Sequence, residues 1–185
     1  MQLSVLWKGI DYDTDEHCAI TYHEESVMVH SEIEGWIHNK AVYAEYWIKL
    51  NNNWEVQEFE INASVADKQY KHALQIDKND HWKCKKNLPH FDFEGIRFID
   101  ISLTPFTNTL PVNGLNLKEG DSAEFDLIYI DILENRMEKQ RQKYTRLSGN
   151  QYKFDNLKGF TASIEVDNDG LVINYPGLFE LVRVR

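Results

Sequence analysis

Residues 98–120, FIDISLTPFTNTLPVNGLNLKEG, decide how this chain folds. From Phe98 to Thr104 the residues alternate. Ile99, Ile101 and Leu103 fall on one side of a predicted strand and Asp100, Ser102 and Thr104 on the other, so the strand is half-buried. Pro105 has no N–H to give a ladder and pushes Thr104 toward extended backbone, which ends the strand. The polar turn Thr107-Asn108-Thr109 follows. Leu110-Pro111-Val112, with Gly114 behind, then reads as one helical turn with Thr or Asn as its N-cap, proline near its first position and glycine at its exit. The hydroxyls and amide of this turn sit beside the polar face that carries Asp100. A carboxylate and an amide together accept from and donate to vicinal hydroxyls, which is what a hydroxyl-rich ligand requires. A capped turn that only closes a sheet corner explains the same residue types without any ligand.

Working outward, the apolar period is mostly two. Leu3, Val5 and Trp7 alternate, then Cys18, Ile20 and Tyr22, then Val27, Val29 and Ile33. Between the first two runs, Asp11 to Glu16 is acidic and turn-rich, and reads as a solvated loop with the ligand types for a cation. Four hairpins are predicted. Ala41–Leu50 turns into Trp54–Ile61 through three asparagines, and Gln69–Ile76 into His81–Cys84 through Asp77 to Asp80. Lys143–Arg146 turns into Gln151–Phe154 through Ser148-Gly149, and Phe160–Val166 into Leu171–Tyr175 through Asp167 to Gly170. So many short strands, with few prolines and no long helical stripe, predict an all-β chain folded as an antiparallel spiral β-roll or open half-barrel with one or two short helical turns.

One predicted strand, Ala123 to Leu133, is apolar on both faces and is therefore expected to cross the middle of the roll. Asp131 sits there in apolar company, where it must find a buried donor or line a cavity. After it, Glu134 to Arg146 favours helix by composition. Read as an extended arm instead, the segment projects Lys139, Arg141 and Lys143 from one face, a basic row that meets an acidic head group or forms a solvated edge.

The 185 residues suit one domain over residues 1–185, with no linker composition and no repeat. Twenty Lys and Arg against 30 Asp and Glu leave a charge of −10, which repels nucleic acid and anionic membrane surfaces. The start, MQLSVLWKGIDYD, has no signal-peptide pattern, and no stretch reaches the roughly 20 apolar residues of a membrane span. A cytoplasmic protein without integral membrane contact is the expectation, with Cys18 and Cys84 as free thiols.

Nucleophilic catalysis finds no motif, and no cofactor is implied. His17 and Cys18, as strand neighbours, point to opposite faces. His81 and Cys84 with His90 and Asp92 offer zinc ligand types at a spacing that fits no finger or ribbon, so no metal site is assigned. Asp167 to Gly170 fails as an EF-hand, because Pro176 would occupy its closing position, and reads as a turn. Glycoside hydrolysis needs two carboxylates across a sugar site, and Asp100 with Asp131 is the pair to inspect. Trp7, Trp36, Trp47, Trp54, Trp82, Tyr43, Tyr46 and Tyr129 are rich supply for a small core, and two or three are expected to face a cavity.

The runs SLTPFTNTLPVNGLNLKEGDSAEF, QKYTRLSGNQYKF and GFTASIEVDNDGLVINYPGLFEL, with SVLWKGI at the amino end, resemble the family of bacterial proteins called putative glycolipid-binding. The resemblance spans most of the chain and is most specific at TPFTNTLP and VDNDGLVINYPGL. It implies an all-β spiral roll, similar in shape to lipoprotein localisation factors, and a role in binding glycolipids; it implies no catalytic residue. The expected site is the concave side of the roll, with an acyl chain on its apolar wall and a polar head near Asp100, Thr104, Asn108, Thr109, Tyr129 and Asp131. An enzyme acting on a sugar or lipid, and a ligand-free interaction module or homodimer, remain open as alternatives.

Overall fold

The computed structural model describes residues 1–79, 81–84 and 93–185, which leaves Asp80, His90 and Asp92 outside the described residues. The first half of the chain forms β1 (Gln2–Gly9), β2 (Asp13–Tyr22), β3 (Val27–Ile37), β4 (Lys40–Leu50), β5 (Val56–Val65), β6 (Lys68–Ile76) and β7 (Trp82–Cys84). The second half forms β8 (Phe98–Ile101), a 3-10 turn (Phe106–Asn108), helix α1 (Thr109–Gly114) and then β9 (Ser122–Asp131), β10 (Arg136–Ser148), β11 (Gln151–Asp155), β12 (Thr161–Val166), β13 (Val172–Tyr175) and β14 (Phe179–Val184).

All 14 strands belong to one open sheet. β1 pairs with β14 in its middle, β2 to β7 step outward on one side, and β13 back to β8 step outward on the other. Every pairing is antiparallel except β8 with β9. The two edge strands, β7 and β8, are therefore consecutive in the chain. Laid flat, 14 strands would hold these edges about 62 Å apart, whereas the chain from Cys84 to Phe98 reaches at most about 50 Å. The sheet has to curl. The Val56 amide donates to the Arg97 carbonyl (2.9 Å) and the Trp82 indole to the Ile96 carbonyl (3.0 Å), so the chain entering β8 lies against the far arm of the sheet.

The predicted strand over 98–104 is shorter than its alternation suggests. β8 stops at Ile101, and Leu103 takes left-handed backbone (φ 74°), a conformation costly for a residue with a branched side chain. It is held from both sides: the Ser102 amide donates to Ile130 and the Thr104 hydroxyl accepts from the Phe106 amide. The chain then dives into the hollow of the curled sheet as a plug. Phe106, Leu110 and Leu103 are buried in the core that β1 to β6 enclose, while Val112, one position beyond Pro111, belongs to a second core under β10 to β14. Asn108 stands at the expected N-cap of α1, but its side chain makes no capping bond. It donates to the Pro105 carbonyl and accepts from Tyr144 instead, while the Thr104 and Thr107 hydroxyls reach Glu16 and Asp100 on the sheet. Gly114 closes α1 for want of space: an added Cβ would lie 2.7 Å from the Phe98 ring.

Two further expectations change and a third is met. The doubly apolar stretch is β9, buried on both faces at Leu127 and Ile128, yet it stands second from the edge and not in the middle of the sheet order. Its second face is covered by curvature and the plug. Glu134 to Arg146 is extended, as the family resemblance implies, with Arg136–Ser148 forming β10. The acidic stretch is not all loop, since β2 starts at Asp13 and places Thr14 and Glu16 on its buried face with Cys18 and Ile20.

Glu16 is the anchor of the plug. Its Oε1 accepts three hydroxyl bonds, from Ser31 of β3 (2.7 Å), Tyr46 of β4 (2.6 Å) and Thr104 of the plug (2.8 Å), and its Oε2 has no partner. Burial pushes its carboxyl up to about 7, against the pull of the Tyr46, Ser31 and Thr104 hydroxyls. The folded protein thus holds this proton more tightly than the unfolded chain. The stabilisation is complete below the ordinary glutamate range and is lost as pH rises to and through 7, by about 3 kcal/mol for such a shift. Denaturant midpoints are expected to fall between about pH 5 and about pH 8, and Glu16→Gln, which keeps a carbonyl acceptor without a titrating group, to flatten that part of the curve. Chemical unfolding of both proteins across that range checks it; a variant as steep as the parent contradicts it.

Candidate functional site

The plug seals the hollow of the first arm but leaves a cavity beside it, toward β10 to β14, of about 390 Å³. That size is within the roughly 300–1,000 Å³ of small-molecule sites. Its floor begins with Asp100 on β8, which is in register with Tyr129 on β9 and, one strand further, with Glu138 on β10, so the three side chains share a face. Gln140 and Gln142 continue that face along β10. Asp100 accepts from the Gln142 amide (2.7 Å) and the Thr107 hydroxyl (3.1 Å). Burial raises its pKa, and those two donors oppose the rise.

Around this carboxylate stand three phenols, Tyr12, Tyr129 and Tyr175, whose hydroxyls have no hydrogen-bond partner among the described residues. All three are raised in pKa by burial first. The Asp100 charge adds to the effect at Tyr129 and Tyr175, and the Asp11 and Asp131 charges add to it at Tyr12. The opposite wall is aromatic. Phe160 meets Phe154 (6.1 Å between ring centres), Phe154 meets Tyr175 (6.3 Å) and Tyr175 meets Phe179 (6.2 Å), so the rings form a continuous angled surface. The mouth carries Arg136, Lys158 and Glu138. Glu138 is held below the usual carboxylate range by the Gln140 amide (2.6 Å), with the charges of Arg136 and Lys158 helping.

Of the six residues expected from sequence, Asp100, Thr104, Asn108 and Tyr129 line this one cavity, and Thr109 and Asp131 do not. Thr104 and Asn108 are themselves almost fully buried. Thr104 bonds Glu16, while Asn108 donates to the Pro105 carbonyl (3.1 Å) and accepts from the Tyr144 hydroxyl (2.7 Å), so both position the floor more than they present free groups. Thr109 is sealed in the core with its hydroxyl unpartnered. Asp131 accepts the Leu133 and Glu134 amides (3.1 Å each) and faces Arg136 at 3.5 Å, which makes it the brace of the β9–β10 turn. The proposed Asp100 and Asp131 pair therefore does not flank a common site.

The expected basic row has its partners on the neighbouring strand. Lys139 and Arg141 reach Asp126 at 3.0 and 2.8 Å, and Lys143 reaches Glu124 at 3.9 Å. These ion pairs lie on the face of β10 opposite the cavity. Cys18 and Cys84 are not joined by a disulfide. Trp36 and Tyr43 are exposed on the outside of the sheet and Trp7, Tyr46 and Trp82 are buried, so the aromatic lining comes largely from residues the sequence did not single out. One signal was available for the missed residues. β10 reads Glu138, Gln140, Gln142 on one face and Lys139, Arg141, Lys143 on the other, and a strand that is polar on both faces must meet something polar on both.

Among proteins of known sequence and structure, a family model described as "Putative glycolipid-binding" matches residues 4–181. The crystal structure of a DUF1089 family protein from Pseudomonas aeruginosa is similar at a TM-score of 0.78 and 30% identity, over 89% of this chain and 91% of that one. No curated protein matches the sequence.

The amide of Gln142 keeps the Asp100 carboxylate from rising further, so Gln142→Leu is expected to raise the Asp100 pKa above that of the parent. Carboxyl NMR titration of both proteins measures it. An unchanged or lower value in the variant contradicts the arrangement.

Proposed function

The chain belongs to the family described as putative glycolipid-binding, and on that footing we propose that it is a cytoplasmic binding protein whose cavity between plug and second arm holds the hydroxyl-rich head of an amphiphile. The observation that carries the reading is that three tyrosines, whose hydroxyls have no hydrogen-bond partner among the described residues, line one cavity with the Asp100 carboxylate and the Gln142 amide. Each hydroxyl both donates and accepts, as does each sugar hydroxyl, so the cavity is matched to a ligand with several adjacent OH groups. The Phe154 and Phe160 rings, tilted against each other, supply apolar surface for the C–H face of a sugar ring.

The acyl chain takes a different route from the one the sequence suggests. Phe106, Leu110 and Leu103 already fill the hollow of the first arm, so no room is left there for a guest. The chain leaves through the mouth, where Phe160 and its turn neighbour Leu157 are each 42% exposed. No helix among the described residues is long and apolar enough to cross a membrane, which suits a protein that meets its amphiphile at a surface or carries it. The charge of −10 disfavours a ligand with an uncompensated negative head.

Octyl glucoside below its micellar concentration is expected to shift NMR signals of Tyr129, Gln142 and Tyr175, and Tyr129→Phe to weaken binding about three- to tenfold, the worth of one hydrogen bond. A saturating titration that leaves the cavity signals in place sinks the reading. Native mass spectrometry of the purified protein gives a second check, with a bound amphiphile as the expected result.

A further inference from the structure

The cavity has an electrostatic imbalance at its floor. Of the charged groups that line it, Arg136 is shared between Asp131 (3.5 Å) and Glu138 (3.8 Å), and Lys158 faces Glu138 at 3.8 Å. Asp100 has neither. Its contacts are the neutral Gln142 amide and Thr107 hydroxyl, and no Lys, Arg or His among the described residues lies within ion-pair distance of it. The groups on other elements that sense its charge, Tyr129 on β9, Tyr144 on β10 and Tyr175 on β13, are neutral, while Glu138 on β10 is a second carboxylate on the same face, already paired with Arg136 and Lys158.

The surrounding rings have the geometry to complete a cation site. Phe160, Phe154, Tyr175 and Phe179 all line the cavity and meet their neighbours at 59°, 62° and 70°, so they form an angled aromatic wall beside it. Tyr12 and Tyr129 line the same cavity. A carboxylate among several aromatic faces binds a positive nitrogen through charge and through the ring quadrupoles together.

We propose that the head group taken by this cavity carries a cationic nitrogen beside its hydroxyls, with Asp100 as counter-ion and the aromatic wall as its cage. This rests on the reading of the cavity as a head-group site and narrows the ligand class to amino sugars or quaternary ammonium heads. A bound cation then favours the ionised form of Asp100 by supplying the positive neighbour that the protein lacks.

Three amphiphiles of equal chain length test it by calorimetry at neutral pH: octyl glucoside, its 2-amino-2-deoxy counterpart and octyltrimethylammonium. The amino glycoside is expected to bind at least about tenfold more tightly than the neutral glycoside. Asp100→Asn is expected to remove that preference, with the amino glycoside losing more affinity than the neutral glycoside. If the trimethylammonium compound equals the amino glycoside, the cation alone is read; if it binds more weakly, hydroxyls and cation are read together. Equal or tighter binding of the neutral glycoside overturns this inference and leaves the head-group reading standing. Failure of all three to bind overturns both. Should Asp100→Asn not fold, Tyr129→Leu and Tyr129→Phe replace it: the leucine variant is expected to reduce the preference at least about threefold and the phenylalanine variant to keep it, and a preference that survives the leucine change overturns the proposal.

Discussion

Glu16 holds three separately folded pieces of chain with one oxygen. Its Oε1 collects the hydroxyls of Ser31, Tyr46 and Thr104, so that two neighbouring strands and the plug are tied to β2 at a single buried point. A charged carboxylate there would be expensive, because its second oxygen has no donor. The protonated form relieves this, which explains a pKa near 7 despite three hydrogen bonds that favour the ion. Apolar packing alone would bring Phe106 and Leu110 into the hollow, but without a fixed register. The clamp sets where the Thr104 turn sits, and that turn sets Leu103 in its strained backbone and Asp100 at the cavity floor.

The two arms of one sheet consequently do different jobs. Inward positions of β1 to β6 are aliphatic and aromatic, and the plug fills the space between them, so this arm is a core. Inward positions of β10 are Glu138, Gln140 and Gln142, which no apolar plug would satisfy, so the second arm stands off and a cavity remains. The helix spans the boundary: Leu110 belongs to one core and Val112 to the other. Asn113 reaches on to the Asp169 carbonyl at 2.9 Å, docking the Asp167–Gly170 turn against the helix. That turn needs Gly170 for its left-handed backbone (φ 78°) and for space, since a Cβ would lie 2.4 Å from the Asn113 side chain.

Much of this was readable from the amino acids because it depends on neighbours in the chain. The turn at Asp167–Gly170, the hairpin through Asn51 to Asn53 and the opposed directions of His17 and Cys18 follow from period two and turn chemistry. Glu16 was not readable, because a buried carboxylate looks like any other acidic residue until its donors arrive from 15, 30 and 88 residues away. The threonines of the plug misled for the same reason. Their composition is that of a helix cap, and a local rule assigns them a local partner, yet the sheet outbids it. The cavity lay between these cases. Asp100, Thr104, Asn108 and Tyr129 could be named from strand faces and the family resemblance, whereas Tyr12 reaches it from the turn between β1 and β2 and Tyr175 from β13.

An open sheet of this size exposes two edges, and edges invite pairing with other chains. Here both edge strands are short, three residues in β7 and four in β8, and the chain that follows β8 becomes the plug. Closing the roll with a segment of the chain, rather than with a ladder between edges, has a consequence for binding. A hydrogen-bonded barrel would fix the distance between its walls. In this fold the wall opposite β10 is the plug itself, held at one end by the Glu16 clamp and at the other by the Asn108–Tyr144 bond. Anything seated on Asp100 therefore bears on the same short segment that packs the first arm. The cavity and the apolar core behind it are coupled through the five residues between Thr104 and Leu110, with no helix or domain motion required to connect them.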